Sequence, residues 1–172
     1  MCLAGASFAK GCLRRIASMT GGRIREARRG DEGAIAELMA LLWSDGSFAD
    51  FQREAGLLIE TGMCGTLPGV ILIGLDEAGA ATGFLQAGLR SHADGCDVSC
   101  PVGFIEGWFV RPEARGRGIG RALMRAAEEW FRAKGCREAA SDALFDNAES
   151  LRAHSALGFE VVDRCIHFRK KL

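Results

Sequence analysis

Residues 103–134 read GFIEGWFVRPEARGRGIGRALMRAAEEWFRAK, and this stretch restricts the fold more than any other in the chain. It opens on a mostly apolar run. Strict alternation would put Phe104, Glu106, Trp108 and Val110 on one side of a strand and Ile105, Gly107 and Phe109 on the other. Pro112 ends the run, because proline has no N–H to give to a ladder. From residue 117 the period changes: Ile119, Leu123, Ala126, Ala127 and Trp130 form one apolar stripe of a helix that Gly135 stops. Between strand and helix lies R-G-R-G-I-G, Arg115 to Gly120. A helix start exposes unpaired N–H groups and about half a positive charge. Gly116, Gly118 and Gly120 let that backbone curl around a ligand. Arg115, Arg117 and Arg121 add charge that opposes the helix dipole, which a bound anion would reconcile. Residues Arg115, Gly116, Arg117, Gly118, Ile119, Gly120 and Arg121 therefore read as a phosphate or pyrophosphate cradle, the alternative being a solvated basic loop. No GxxxxGK[ST] occurs, so it is not a P-loop. Arg121 stands where a dinucleotide fingerprint would need its third glycine.

The remaining periodicities surround this unit. Residues 22–28 read as an edge strand. A helix follows Asp31, its expected cap, with Ile35, Leu38, Leu41 and Leu42 at helical spacing. A second helix over 47–60 would bury Phe48, Phe51, Ala55 and Leu58. GVILIGLDE and AATGFLQAGLR flank a glycine-containing turn and predict a hairpin. Residues 91–102 read as a loop, CREAASD as a strand, and 146–157 as a helix whose Asp146 and Glu149 fit a capping box. FEVVDRCIHFRKKL predicts one or two closing strands. The order β-α-α-β-β-β-α-β-α-β implies an α/β sandwich around one mixed sheet.

Composition narrows the function classes. At 172 residues with 48% apolar and 26% charged side chains, the chain is expected to form one domain over 19–172, preceded by an extension over 1–18. Lys+Arg and Asp+Glu are 22 each, so no net field draws the chain to nucleic acid or an anionic membrane, and neither is expected as a partner. No apolar run approaches the ~18 residues that span a bilayer, and residues 1–18 lack the layout of a secretory signal. Seven irregularly spaced cysteines without a CxxC suggest free thiols and a cytoplasmic location. A zinc site on His92, Cys96 and Cys100 is the weaker reading of a lone C-x3-C spacing, and no metal is expected.

Glu106 is the only charge in PVGFIEGWFV, and a carboxylate on a central strand must either be paired, as with an arginine, or face a wet cavity. Asp142 ends a strand, where ligands bind in open sheets; the alternative is a turn or cap. Asp146 reads as a helix cap, with Asn147 beside it in the turn.

R-G-R-G-I-G matches the [Q/R]-x-x-G-x-[G/A] pattern of the GCN5-related N-acetyltransferase superfamily, and the element order resembles that family from about residue 22 onward. LLWSD, PVGFIEGWFVRPEARGRGIG, GCREAASD and HSALGFE together resemble the aminoglycoside 6'-N-acetyltransferases. The resemblance implies an α/β fold with a mixed, mostly antiparallel sheet, a central splay and helices on both faces. It implies acetyl-CoA as co-substrate, held by the cradle, by main-chain groups of Trp108 and Val110 and by Asn147. It puts Glu106 and Asp142 in the aminoglycoside site, binding amines or relaying a proton through water, with Trp43 as its wall, the alternative for Trp43 being core at the end of the first helix. Asp45 and Asp50 either add negative charge to that rim or lie on a solvated face. Many members carry tyrosine where His154 stands in HSALGF, placed to protonate the leaving thiolate; a satisfied helix-surface histidine is the alternative. The implied reaction is acetylation of a 6'-amino group by direct transfer in a ternary complex. Cys136 has no partner that would make it a nucleophile. Rival readings are acetylation of a polyamine or peptide amine, and a non-catalytic acetyl-CoA-binding module. Members often dimerise, and the alternating RCIHFRKKL could pair with a second copy to give a homodimer.

Overall fold

A computed structural model describes residues 23–171, so the extension expected over 1–18 lies outside the described residues. The strands are β1 (Arg23–Glu26), β2 (Met63–Cys64), β3 (Leu67–Leu75), β4 (Ala81–Arg90), β5 (Val102–Val110) and β6 (Ala139–Ser141). The helices are α1 (Glu32–Leu42), α2 (Phe48–Thr61), α3 (Ile119–Ala133) and α4 (Ala148–Ser155). The sheet order is β1-β3-β4-β5-β6, with the two-residue β2 added against β3. Every pairing is antiparallel except β5 with β6. Because β3 and β4 are covered on both faces, Val70–Leu75 and Gly83–Gly88 are buried almost without interruption.

The two faces carry separate cores. On one, α1 and α2 bury Ile35, Leu38, Phe51 and Leu58 against Ile71, Ile73 and Phe84. On the other, α3 buries Ile119, Leu123, Met124, Ala127 and Trp130 against Leu72, Leu85 and Ile105. The stripe expected for α3 is therefore its core face. The stripe expected for α2 holds except at its first position, Phe48, which is exposed.

Strict alternation along β5 does not hold. The register passes from Gln86↔Gly107 to Ala87↔Ile105, leaving Glu106 as the extra residue of a β-bulge. Ile105, Trp108 and Val110 consequently pack with the α3 core, while Phe109 packs with α1 and α2. A Cβ on Gly107 would meet the indole of Trp43, and Glu106 lines a cavity on that same face. Glu106 and Trp108, expected side by side, thus lie on opposite faces.

Two caps differ from expectation. The Asp31 carboxylate makes no cap bond: it takes Arg25 Nη1 at 2.6 Å and Nη2 at 2.8 Å and the Arg28 N–H at 2.7 Å. That hydrogen-bonded ion pair lowers Asp31 from the ordinary carboxylate value. At α4 the cap is Asn147, whose Oδ1 accepts the Ser150 N–H at 2.9 Å, rather than Asp146. Glu149 serves Arg115 instead of a capping box.

The closing strands are absent: residues 159–171 carry no helix or strand, and Val161, Val162, Ile166 and Phe168 are exposed. A strand needs a ladder, and β6 offers only three residues, already paired to β5 on one edge. Among the described residues no helix is long and apolar enough to cross a membrane.

Candidate active site

The sheet opens beside the bulge. β5 and β6 pair only at Gly103↔Ala139, Phe104↔Ala140 and Ile105↔Ser141, and β5 then runs on to Val110 alone on that side. Glu106 and Asp142 each follow the last paired residue of their strand, so the two carboxyl-bearing residues flank the mouth of the split. Arg111 N–H donates across to Thr82 at 2.8 Å, so by strand alternation Val110 and Trp108 turn their main-chain groups toward the opening. The Val110 carbonyl there accepts Arg115 Nε at 3.0 Å. The buried Trp108 Nε1 has no hydrogen-bond partner among the described residues.

At the far end of the split lies the glycine–arginine turn. A 3₁₀ turn over Pro112–Ala114 leads to Gly116 at φ 73° and to Gly118 at φ 80°, the N-cap of α3. Only glycine takes this left-handed conformation readily, and two such positions curl the chain. Among the described residues, the N–H groups of Gly116, Arg117, Gly118, Ile119, Gly120 and Arg121 donate to no acceptor. They form a run of unused donors at the positive end of a helix, the arrangement that suits a diphosphate. The arginines divide. Arg115 is tied into the protein, bonding Val110 and Glu149 and lying 5.9 Å from the Phe109 ring centroid. Arg117 and Arg121 are exposed and have no carboxylate partner among the described residues. A cavity of about 440 Å³ adjoins Arg117, but it mixes Glu37 and Asp76 with Arg111, itself paired to Glu37 at 3.3 Å. Its charges cancel.

A second cavity, about 340 Å³, lies on the α1–α2 face and is lined by Trp43, Asp45, Phe51, Glu54, Cys64, Gln86 and Glu106. Three carboxylates and an aromatic wall meet here, with no lysine or arginine among the lining residues. Trp43 packs 6.0 Å from Phe51 and 5.9 Å from Phe84, centroid to centroid. Glu54 accepts Gln86 Nε2 at 3.1 Å. Glu106 accepts both Arg90 Nη2 at 2.8 Å and Arg90 Nε at 3.3 Å. Both readings of Glu106 are therefore realised: it is paired to an arginine and it faces a cavity. Burial, reinforced by the charges of Glu106 and Glu54, pushes the Cys64 thiol up from its ordinary value.

His154 lies on the other face. Its Nε2 is 3.0 Å from Ser141 Oγ, and its Nδ1 is 2.9 Å from the Ser150 carbonyl. Facing an acceptor-only carbonyl, Nδ1 carries the proton, and Nε2 meets the Ser141 hydroxyl. The ring packs edge-on against Trp108 at 5.5 Å and Phe159 at 5.2 Å. α4 is thus clamped to the end of β6 beside the split.

Of the residues singled out from sequence, Trp43, Asp45 and Glu106 share one cavity. Asp50 does not join them; it bonds Ser47 Oγ and Arg53. Asp142 is exposed at the mouth and does not line the cavity. Asn147 caps α4. Cys136 is buried, and burial pushes its thiol up, away from nucleophile character. The sequence reading missed Arg90, Glu54 and Gln86. Gln86 had a signal, as the one polar side chain in the buried run GFLQAGL; Arg90 and Glu54 had none.

The profile of the Acetyltransferase (GNAT) family matches residues 35–159. An aminoglycoside N(6')-acetyltransferase type 1 of Stenotrophomonas maltophilia is 38% identical over 149 residues, 87% of this chain and 93% of that protein. One from Klebsiella aerogenes is 37% identical over 149 residues, 87% of this chain and 96% of that protein. Among solved structures, AAC(6')-Iy in complex with the bisubstrate analog CoA-S-monomethyl-acetylneamine superposes with a TM-score of 0.78 at 33% identity, covering 88% of this chain and 99% of that one. With a fold, a cradle and a sequence profile that agree, the chain belongs to the GNAT family of acetyltransferases.

Proposed function

We propose that this enzyme acetylates the 6'-amino group of aminoglycosides, with acetyl-CoA as donor, by direct transfer in a ternary complex, and that it thereby confers resistance to these antibiotics. The observation that carries the reading is the 340 Å³ cavity in which Asp45, Glu54 and Glu106 meet the indole of Trp43. A polycationic sugar needs several anions within reach of its ammonium groups and a flat apolar wall for its ring C–H surface. The named relatives and the neighbour bound to a CoA–aminoglycoside analog support the same substrate class.

The residues present fit acetyl-CoA. The unpartnered N–H groups from Gly116 to Arg121, with Arg117 and Arg121, would hold its diphosphate. Main-chain groups of Trp108 and Val110 would align its arm along the open edge of β5, and Asn147, while capping α4, keeps an amide N–H₂ for a contact. When bound, acetyl-CoA supplies the acetyl group as an activated thioester. Glu106 and Asp142, at the two lips of the split, bind and orient the amine and hold the water that takes its proton. His154, whose Nε2 meets the Ser141 hydroxyl, would return a proton to the leaving thiolate through that hydroxyl as the imidazolium, protonated on both ring nitrogens. The free thiols of Cys64, Cys96, Cys100, Cys136 and Cys165 suit a reducing cytoplasm. The exposed apolar side chains of 161–168 suit a ladder with a second copy, giving a homodimer; a monomer mass in sedimentation equilibrium would reject that part.

A thiol-release assay with kanamycin, spermidine and a lysine peptide tests the substrate class. Acetyl-CoA-dependent turnover of kanamycin is expected, and turnover of the peptide alone would overturn the reading. Asp142→Asn is expected to raise the KM for kanamycin while leaving acetyl-CoA binding in place. Equal loss of both would remove Asp142 from the acceptor site.

A further inference from the structure

Arg90 ends β4, opposite Val102 in the ladder, and does not line the acidic cavity. Its guanidinium lies over the Phe104 ring, 3.2 Å from the centroid, and from there its fork reaches both oxygens of Glu106. Glu106 needs such a hold. It is the extra residue of a β-bulge, so no cross-strand neighbour sets its side chain. A carboxylate oxygen has two acceptor directions, and a bidentate guanidinium uses one on each. The remaining directions stay open, with the carboxylate standing between Arg90 and the cavity.

We infer that Arg90 is a positioning residue of the acceptor site: it locks the bulged Glu106 carboxylate in the one orientation that leaves an edge for a substrate ammonium, and acts on the acceptor only through Glu106. The inference rests on the proposed aminoglycoside site and adds the device that fixes its central anion. Stacking on Phe104 makes the device specific to arginine. A lysine would keep the charge but neither the planar fork nor the stack. Arg90 is 41% exposed on its side chain, so the pair is a modest contributor to stability and its loss leaves the fold standing.

A double-mutant cycle tests this. Arg90→Met is expected to raise the KM for kanamycin about tenfold and to lower kcat as well, since Glu106 also holds the proton-accepting water, with the KM for acetyl-CoA changing by less than about twofold. In a Glu106→Gln background the same replacement should change acceptor kcat/KM by less than about twofold. Arg90→Lys should stay within about threefold of Arg90→Met. Additive effects in the cycle, or full recovery by lysine, would overturn the inference. Crystal structures of wild type and Arg90→Met provide a readout without turnover: the Glu106 side chain should leave its position in the variant, and an unmoved carboxylate refutes the positioning role. Should the wild type turn over no aminoglycoside, the proposed function fails while the crystallographic comparison still decides the role of Arg90.

Discussion

Gly107→Ala puts the proposed acceptor pocket under direct strain. A Cβ built at position 107 falls 2.5 Å from Trp43 Cη2 and 2.6 Å from Cζ2, with Leu42 Cδ2 at 3.3 Å. Carbon–carbon contact is comfortable near about 3.5–4.0 Å, so the indole would have to retreat by roughly 1 Å. It is packed against Phe51 and Phe84, and the open direction is the cavity it walls. Overpacking of this kind costs about 1–3 kcal/mol. For a chain of this size that is a fall in Tm of about 3–10 °C, measurable by thermal unfolding under circular dichroism. The displaced ring narrows the space between Trp43 and Glu106, so the KM for kanamycin should rise about fivefold or more while coenzyme A affinity by calorimetry moves by less than about twofold. An unchanged Tm would mean that the indole does not rest on Gly107. A lowered Tm with an unchanged acceptor KM would remove Trp43 from the acceptor site while leaving the packing argument intact.

Gly118→Ala tests the cradle from the other side. Nothing stands within 4 Å of a Cβ there, so its penalty, about 1–2 kcal/mol, is purely that of a left-handed residue at φ 80°. Calorimetry should find coenzyme A affinity reduced about tenfold, and undiminished affinity would argue that the turn does not grip the diphosphate. Asn147→Ala removes the cap of α4 and should cost about 1 kcal/mol in urea unfolding; no change would show that the Ser150 N–H is satisfied without it. Asp31, lowered in the folded state by its Arg25 hydrogen bonds, contributes stability that is full above its unfolded value of about 3.9 and is lost as pH falls through the lower folded one. Asp31→Asn should therefore flatten the fall of Tm below about pH 4, and parallel slopes for variant and wild type would refute this.

The elements and the cradle were legible because their signals are local. The apolar stripe of α3, the continuous burial of β3 and β4 and the R-G-R-G-I-G turn each depend on residues within a few positions of one another. Even the alternation of β5 was readable as far as Ile105. It failed at Glu106 because a bulge is a property of a pair of strands: the register of β4 against β5 decides it, and residues 103–110 alone hold no trace of it. That slip moves Glu106 away from Trp108 and into the cavity with Trp43. The closing strands failed for a related reason, since alternation at 161–168 describes a strand but cannot supply its partner.

By itself the amino-acid order determined that a strand gives way to a glycine-rich, anion-ready helix start, and that a lone carboxylate precedes it. Short-range sterics and hydrogen bonding are enough for that. Only the tertiary structure decided which face that carboxylate serves, that Arg90 holds it, and that Glu54 and Asp45 join it. These residues are 16 to 61 positions from Glu106 along the chain; the β4–β5 ladder brings Arg90 to it, and the packing of α1 and α2 on the sheet brings Asp45 and Glu54.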